Sequence, residues 1–180
     1  SWATVPMLLL SCAKERPAES PAKPLGTPVT LKVSLGLPPV PVPHENPPTH
    51  ETISLGRRLY YDTMLSRDKT VSCASCHSPV LGFADGRKVS SGVDGKAGTR
   101  NAPTVWNAAY FSLQFWDGRA ATLEEQAPGP IAYPVEMDLS HEQLEGRLHG
   151  NAVYQELFVK AFGPGRITIE KVKKAIASFE

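Results

Sequence analysis

A chain of 180 residues amounts to one ordinary domain, with or without a tail. Its 19 Lys and Arg against 18 Asp and Glu leave a formal charge of +1, which excludes a strongly basic nucleic-acid binder and an acidic solvating tail. Hydrophobic residues make up 41%, enough for a core, yet no apolar run approaches the roughly 20 residues of a membrane-spanning helix.

At the amino end, Val5, Met7, Leu8, Leu9 and Leu10 run into Ser11-Cys12. The pattern resembles the end of a secretion signal meeting a bacterial lipoprotein cleavage box, in which Cys12 would carry the lipid. The other reading is a short apolar stretch with an idle cysteine. Because a basic region and a starting Met are missing, residues 1–12 are expected to be the remnant of a longer signal. Eleven of the 17 prolines fall in the first 50 residues, so residues 13–48 read as an extended linker that cannot run as helix. Within it, Leu31, Val33, Leu35 and Leu37 alternate and predict one short strand or a strap on the domain.

The compact part, residues 49–180, is expected to be all-α. Thr49 caps a predicted helix to about Tyr61, with Glu51 in its first turn and Ile53, Leu55, Leu59 and Tyr60 apolar. Thr122-x-x-Glu125 and Ser140-x-x-Gln143 read as capping boxes. Asn151 opens a helix with Tyr154, Leu157, Phe158, Ala161 and Phe162 on one face, ended by Gly163-Pro164. Thr168 opens the last, striped by Val172, Ala175, Ile176 and Phe179. It stops at Glu180 without a cap, from which a continuation of the natural protein is expected.

The strongest chemical signal is Cys73-Ala74-Ser75-Cys76-His77, a C-x-x-C-H. Two thiols three apart can each form a thioether to a haem vinyl group, and the adjacent imidazole then falls under the iron. A redox C-x-x-C would want a βαβ context, and a zinc site a second Cys/His pair; the sequence offers neither. Covalent haem attachment takes place outside the bacterial cytoplasm, which agrees with export.

The sixth position on the iron separates two classes. An electron carrier would place a Met sulfur there, and Met137 is the candidate. An enzyme would leave the position open beside a proton-handling group, and Glu136, in the Pro-rich stretch 129–136, could move a proton between the two oxygens of a peroxide. From spacing alone Glu136 reads first as a solvated surface acid.

From residue 55 to 180, LGRRLYYDTMLSRDKTVSCASCH, GTRNAPTVWNAAY, QFWDGRAATLEEQ and GPIAYPVEMD resemble, in order and spacing, the amino-terminal haem domain of the bacterial di-haem cytochrome c peroxidases. That group includes the related di-haem enzyme of methylamine-dehydrogenase maturation. The resemblance implies a cytochrome c-like fold, one haem c on Cys73, Cys76 and His77, and reduction of hydrogen peroxide to water. It implies Glu136 as the distal acid–base, Gln126 as a carboxamide beside the peroxide, and Trp116 on the electron route between two haems. It also implies Asn101 as one ligand of a calcium ion shared with a second domain. The donor would be a small cytochrome c or cupredoxin, the full-length protein a homodimer, and the location the periplasm, with Cys12 as a lipid anchor. A relative that oxidises a protein partner and a mono-haem carrier using Met137 stand as alternatives.

Two departures qualify the match. Many family members carry, after C-x-x-C-H, a histidine that blocks the iron until the second haem is reduced; residues 90–98 hold none. The iron is therefore expected to be five-coordinate without reductive activation. There is also no second C-x-x-C-H, so the electron-delivering domain lies outside these residues and the fragment alone is expected to be impaired. His141-Glu142 begins like a zinc-protease motif but residue 145 is Glu, and His141 and His149 are expected to face solvent. His44 and His50 read as solvated, and Arg119 as either a haem-propionate partner or part of a surface turn.

Overall fold

Side-chain capping sets where most of the helices begin. The structure, a computed structural model, describes residues 23–180; residues 1–12, Cys12 with them, and the first part of the Pro-rich segment lie outside the described residues. Among the described residues, seven α-helices follow in order: α1 His50–Tyr61, α2 Cys73–Cys76, α3 Leu123–Gln126, α4 Pro128–Ala132, α5 His141–His149, α6 Ala152–Phe162 and α7 Ile169–Phe179. Extended pairing among the described residues is confined to isolated bridges. The fold is mostly helical, as the sequence predicts.

At α1 the Thr49 hydroxyl accepts from the Thr52 amide at 3.1 Å, and the Thr52 hydroxyl accepts from the Thr49 amide at 2.9 Å. Ser140 and Gln143 close the same reciprocal pair at α5. Asn151 Oδ1 accepts from Val153 and Tyr154 at α6, which ends at Gly163. Two starts differ from expectation. The Glu125 carboxylate reaches back to the Ala121 amide, one residue outside the box that Thr122 would close. At α7 the Thr168 side chain makes no cap bond; Glu145 of α5 accepts from the Ile169 amide at 2.7 Å, so one helix caps another.

Thr52, Leu55, Gly56, Leu59 and Tyr60 form the buried stripe of α1, repeating every three to four residues as an amphipathic helix requires. It packs on α7 through Gly56. A Cβ at that position would lie 1.8 Å from the Ala175 carbonyl oxygen and 3.0 Å from Phe179 Cβ. Only a residue without a side chain lets the backbones meet this closely. The crossing brings Tyr60 edge-on to Phe179, with ring centroids 5.1 Å apart. The core continues through Leu144, Leu148, Tyr154, Phe158 and Ile176.

Residues 31–37 form neither a strand nor a buried strap: Leu31, Val33, Leu35 and Leu37 are exposed. The segment is fastened on either side of them instead. The Leu25 amide donates to Ala161 O at 2.7 Å, the Thr27 amide to Glu51 Oε2 at 2.8 Å, Tyr110 Oη to Pro38 O at 2.9 Å, and Asn46 Nδ2 to Lys174 O at 3.1 Å. The prolines between these points offer no amide for a ladder.

Gly56→Val should destabilise the haem-loaded protein by about 1–3 kcal/mol or more through overpacking. Gly146→Ala, where a Cβ meets nothing within 4 Å, should be neutral or stabilising by about 0.5–1 kcal/mol. Urea unfolding midpoints check both.

Candidate functional site

The site is assembled on α2 and the loops that face it. Ser72 and Ser75 close the start of α2, the Ser75 hydroxyl accepting from the Ser72 amide at 3.0 Å. One helical turn then sets Cys73 and Cys76 near each other as free thiols, and the His77 amide closes the turn on Cys73 O at 3.0 Å. Burial pushes both thiols up, and Glu180, Asp85 and Glu136 add negative charge around them. Such thiols stay protonated and resist adventitious oxidation.

His77 is oriented through one ring nitrogen. Its Nδ1 lies 3.1 Å from the Phe83 carbonyl oxygen, with the Pro103 backbone also facing the ring. Phe83 has φ of 57°, the left-handed turn that carries its carbonyl back to the imidazole. That contact fixes the ring, and burial pushes the imidazole pKa down, favouring the neutral form that would ligate a metal. Tyr60 Oη donates to His77 O at 3.4 Å, tying α1 to the motif. A cleft of about 250 Å³ lined by Phe83, Val105, Trp106, Asn107, Phe179 and Glu180 opens beside this pair. Two thiols one turn apart, an imidazole with a fixed Nδ1 and a cleft walled by Phe83, Trp106 and Phe179 next to it fit a covalent c-type haem. Cys73, Cys76 and His77 would hold it. A larger cavity, about 600 Å³ and lined by Ser54, Arg57, Arg58 and Tyr61 among others, shares no residue with this site.

Glu136 sits on the turn that follows α4, half-buried and within electrostatic reach of both thiols. Burial pushes its carboxyl above the usual range, partly offset by the Arg119 guanidinium. Arg119 is therefore a neighbour of the acid, a role that spacing did not reveal. It also pairs with Asp117 at 2.8 Å and lies 3.4 Å over the Phe115 ring. Met137, next along, is 3% exposed and belongs to the core cluster with Ile131 and Leu139, which is how a packing methionine behaves.

The remaining predicted positions spread over the neighbouring loops. Gln126 is the half-buried last residue of α3. Trp116 is 61% exposed, and its indole N–H donates to the Asn101 carbonyl at 3.1 Å. Asn101 is exposed, and among the described residues no cluster of three His, Cys, Asp or Glu could hold a metal ion. His141, expected in solvent, is half-buried with Nε2 3.0 Å from Pro128 O, while His149 is exposed as expected. Sequence reading missed Glu180, whose carboxyl burial and the neighbouring Glu124 push up to about 8. No motif marks it; only folding places the end of α7 against Cys73.

A family model described as di-haem cytochrome c peroxidase matches residues 50–180. The chain is 41% identical over 141 residues to the methylamine utilization protein MauG of Methylophilus methylotrophus, covering 78% of this chain and 42% of that protein. It is 43% identical over 141 residues to cytochrome c peroxidase Ccp of Escherichia coli K12, covering 78% and 30%. A crystal structure of a MauG-like protein associated with microbial copper homeostasis superposes with a TM-score of 0.78 at 34% identity, over 84% of this chain and 45% of its own. The chain thus spans less than half the length of these relatives.

Because the folded state raises the Glu136 pKa, its contribution is fully favourable below the ordinary carboxylate range and is lost as pH rises through the folded value. Glu136→Gln should therefore raise stability at pH 8, and the gain should vanish towards pH 4. Urea midpoints of the haem-loaded proteins across that range check the sign.

Proposed function

The chain belongs to the di-haem cytochrome c peroxidase family, and we propose that it is the peroxide-reducing haem domain of such an enzyme. The observation that carries the reading is the placement of Glu136: a half-buried carboxyl, raised by burial, within electrostatic reach of the two thiols that would attach the haem. Haem bound at Cys73, Cys76 and His77 would supply the redox chemistry. The protein supplies proton handling and orientation. A carboxyl beside the iron, its pKa raised by burial, can both take a proton from peroxide and return it to the departing oxygen. Arg119, already paired with Asp117, limits how far that pKa rises. Gln126 would hydrogen-bond the peroxide through its carboxamide.

Electrons would enter by way of Trp116, whose exposed ring stands ready to meet a second haem domain. That domain would receive them from a small cytochrome c or cupredoxin. Asn101, whose carbonyl holds the Trp116 indole, would contribute one ligand to a calcium ion shared with it. We place the enzyme in the periplasm, anchored by lipid at Cys12 and dimeric at full length. The reasons are the chemistry of covalent haem attachment, the Ser11-Cys12 pattern and the resemblance to the family.

Glu136→Gln should keep full haem content and lower the rate of reaction with hydrogen peroxide by about 100-fold or more, the usual scale of lost acid–base catalysis. Stopped-flow optical spectroscopy checks it; an unchanged rate would remove Glu136 from the mechanism.

A further inference from the structure

The turn that presents Glu136 is gripped from both sides. On one side lies the loop of residues 92–96. Gly92 packs so tightly on the turn that a Cβ there would lie 1.9 Å from Val135 O, 2.4 Å from Glu136 O and 2.7 Å from Glu136 Cα. All three are backbone atoms, so no side chain can swing away to make room. The backbone of Gly92 is extended, with φ of −101°, so space rather than conformation demands glycine. The next residue, Val93, is fully buried and donates its amide to Glu136 O at 2.8 Å. Lys96 Nζ donates to Pro134 O at 3.0 Å.

On the other side lies residue 67. The Arg67 amide donates to Met137 O at 2.8 Å, and its guanidinium pairs with Asp94 of the loop and with Asp138 of the turn. Lys96 faces the same two carboxylates at 3.8 and 3.6 Å. Asp94 and Asp138 both take the left-handed conformation, with φ of 56° and 52°, a geometry that aspartate accepts more readily than most residues. Arg147 of α5 anchors this side in turn, donating to the carbonyls of Met64 at 2.7 Å, Ser66 at 2.6 Å and Arg67 at 3.2 Å.

We infer that residues 92–96 and Arg67 form a fixed clamp that positions Glu136, with Gly92 as its principal positioning residue. The inference rests on the role proposed for Glu136 and adds the part of the chain that holds it in place. The clamp grips the backbone of Glu136, and among the described residues nothing hydrogen-bonds its carboxylate, so the acid is held in place with its carboxyl left to exchange a proton. The individual ion pairs are half-exposed and each contributes little; the close backbone contact at Gly92 sets the position.

The test is a double-mutant cycle on the haem-loaded protein, read as the rate of reaction with hydrogen peroxide. Gly92→Ala should keep the ferric optical spectrum and haem content while lowering the rate by up to about 100-fold, the scale of a misplaced catalytic group. In a Glu136→Gln background the same substitution should cost nothing further, because it acts only through that side chain. Hydrogen exchange gives a readout independent of turnover. In the wild type, residues 92–96 and 133–138 should be protected to the same degree. The Arg67→Gln/Lys96→Gln pair, which leaves the glycine contact intact, should raise exchange in both segments together. Equal additional loss in the Glu136→Gln background, or no effect of Gly92→Ala where Glu136→Gln is slow, would overturn the clamp. Separate exchange responses in the two segments would overturn it as well. If Glu136→Gln alone leaves the rate unchanged, the role of Glu136 itself fails first.

Discussion

The contact between Gly56 and Ala175 is the constraint on which the rest of the molecule depends. It lets α1 and α7 cross backbone against backbone. Two aromatic consequences follow at the same end of the pair: Tyr60 meets Phe179, and Tyr60 Oη reaches His77 O. The crossing thus sets the wall of the cleft and the seat of the C-x-x-C-H turn with one packing decision. A larger residue at position 56 would separate the helices and move both at once.

Around that seat the electrostatics follow one rule, that burial opposes charge. The imidazole of His77 is kept neutral, the two thiols are kept protonated, and the carboxyls of Glu136 and Glu180 are raised. A neutral imidazole suits a metal ligand, and a carboxyl raised by burial holds a proton more readily than a solvated one. The Arg119 charge opposes part of that rise at Glu136. Arg119 beside Glu136 and Arg87 near Cys76 set positive charge against the carboxyls of this region.

Much of this was legible in the sequence because the signals were local. Thr49, Ser140 and Asn151 cap where their residue types predict, and the stripe of α1 falls on the buried face. The C-x-x-C-H turn is likewise a local device. Failures came where a distant residue supplied the partner. Thr168 looked like a cap, but Glu145 performs that role from another helix. His141 looked solvated until α4 placed the Pro128 carbonyl against it. Alternation over residues 31–37 suggested a strand, yet no neighbouring strand exists among the described residues to pair with it. The neighbours of Glu136 were equally hidden, since Arg119, Gly92 and Arg67 are brought to it only by folding. The resemblance to a family identified Glu136 as the residue to examine; composition and spacing alone would have left it a surface acid.

The central claim is that this chain carries an open haem iron beside a proton-handling carboxyl, rather than an iron closed by Met137. The electron paramagnetic resonance spectrum of the ferric, haem-loaded protein tests it most directly. The account predicts a high-spin signal that changes when hydrogen peroxide is added. A low-spin histidine–methionine signal, indifferent to peroxide, would contradict it and make the chain an electron carrier.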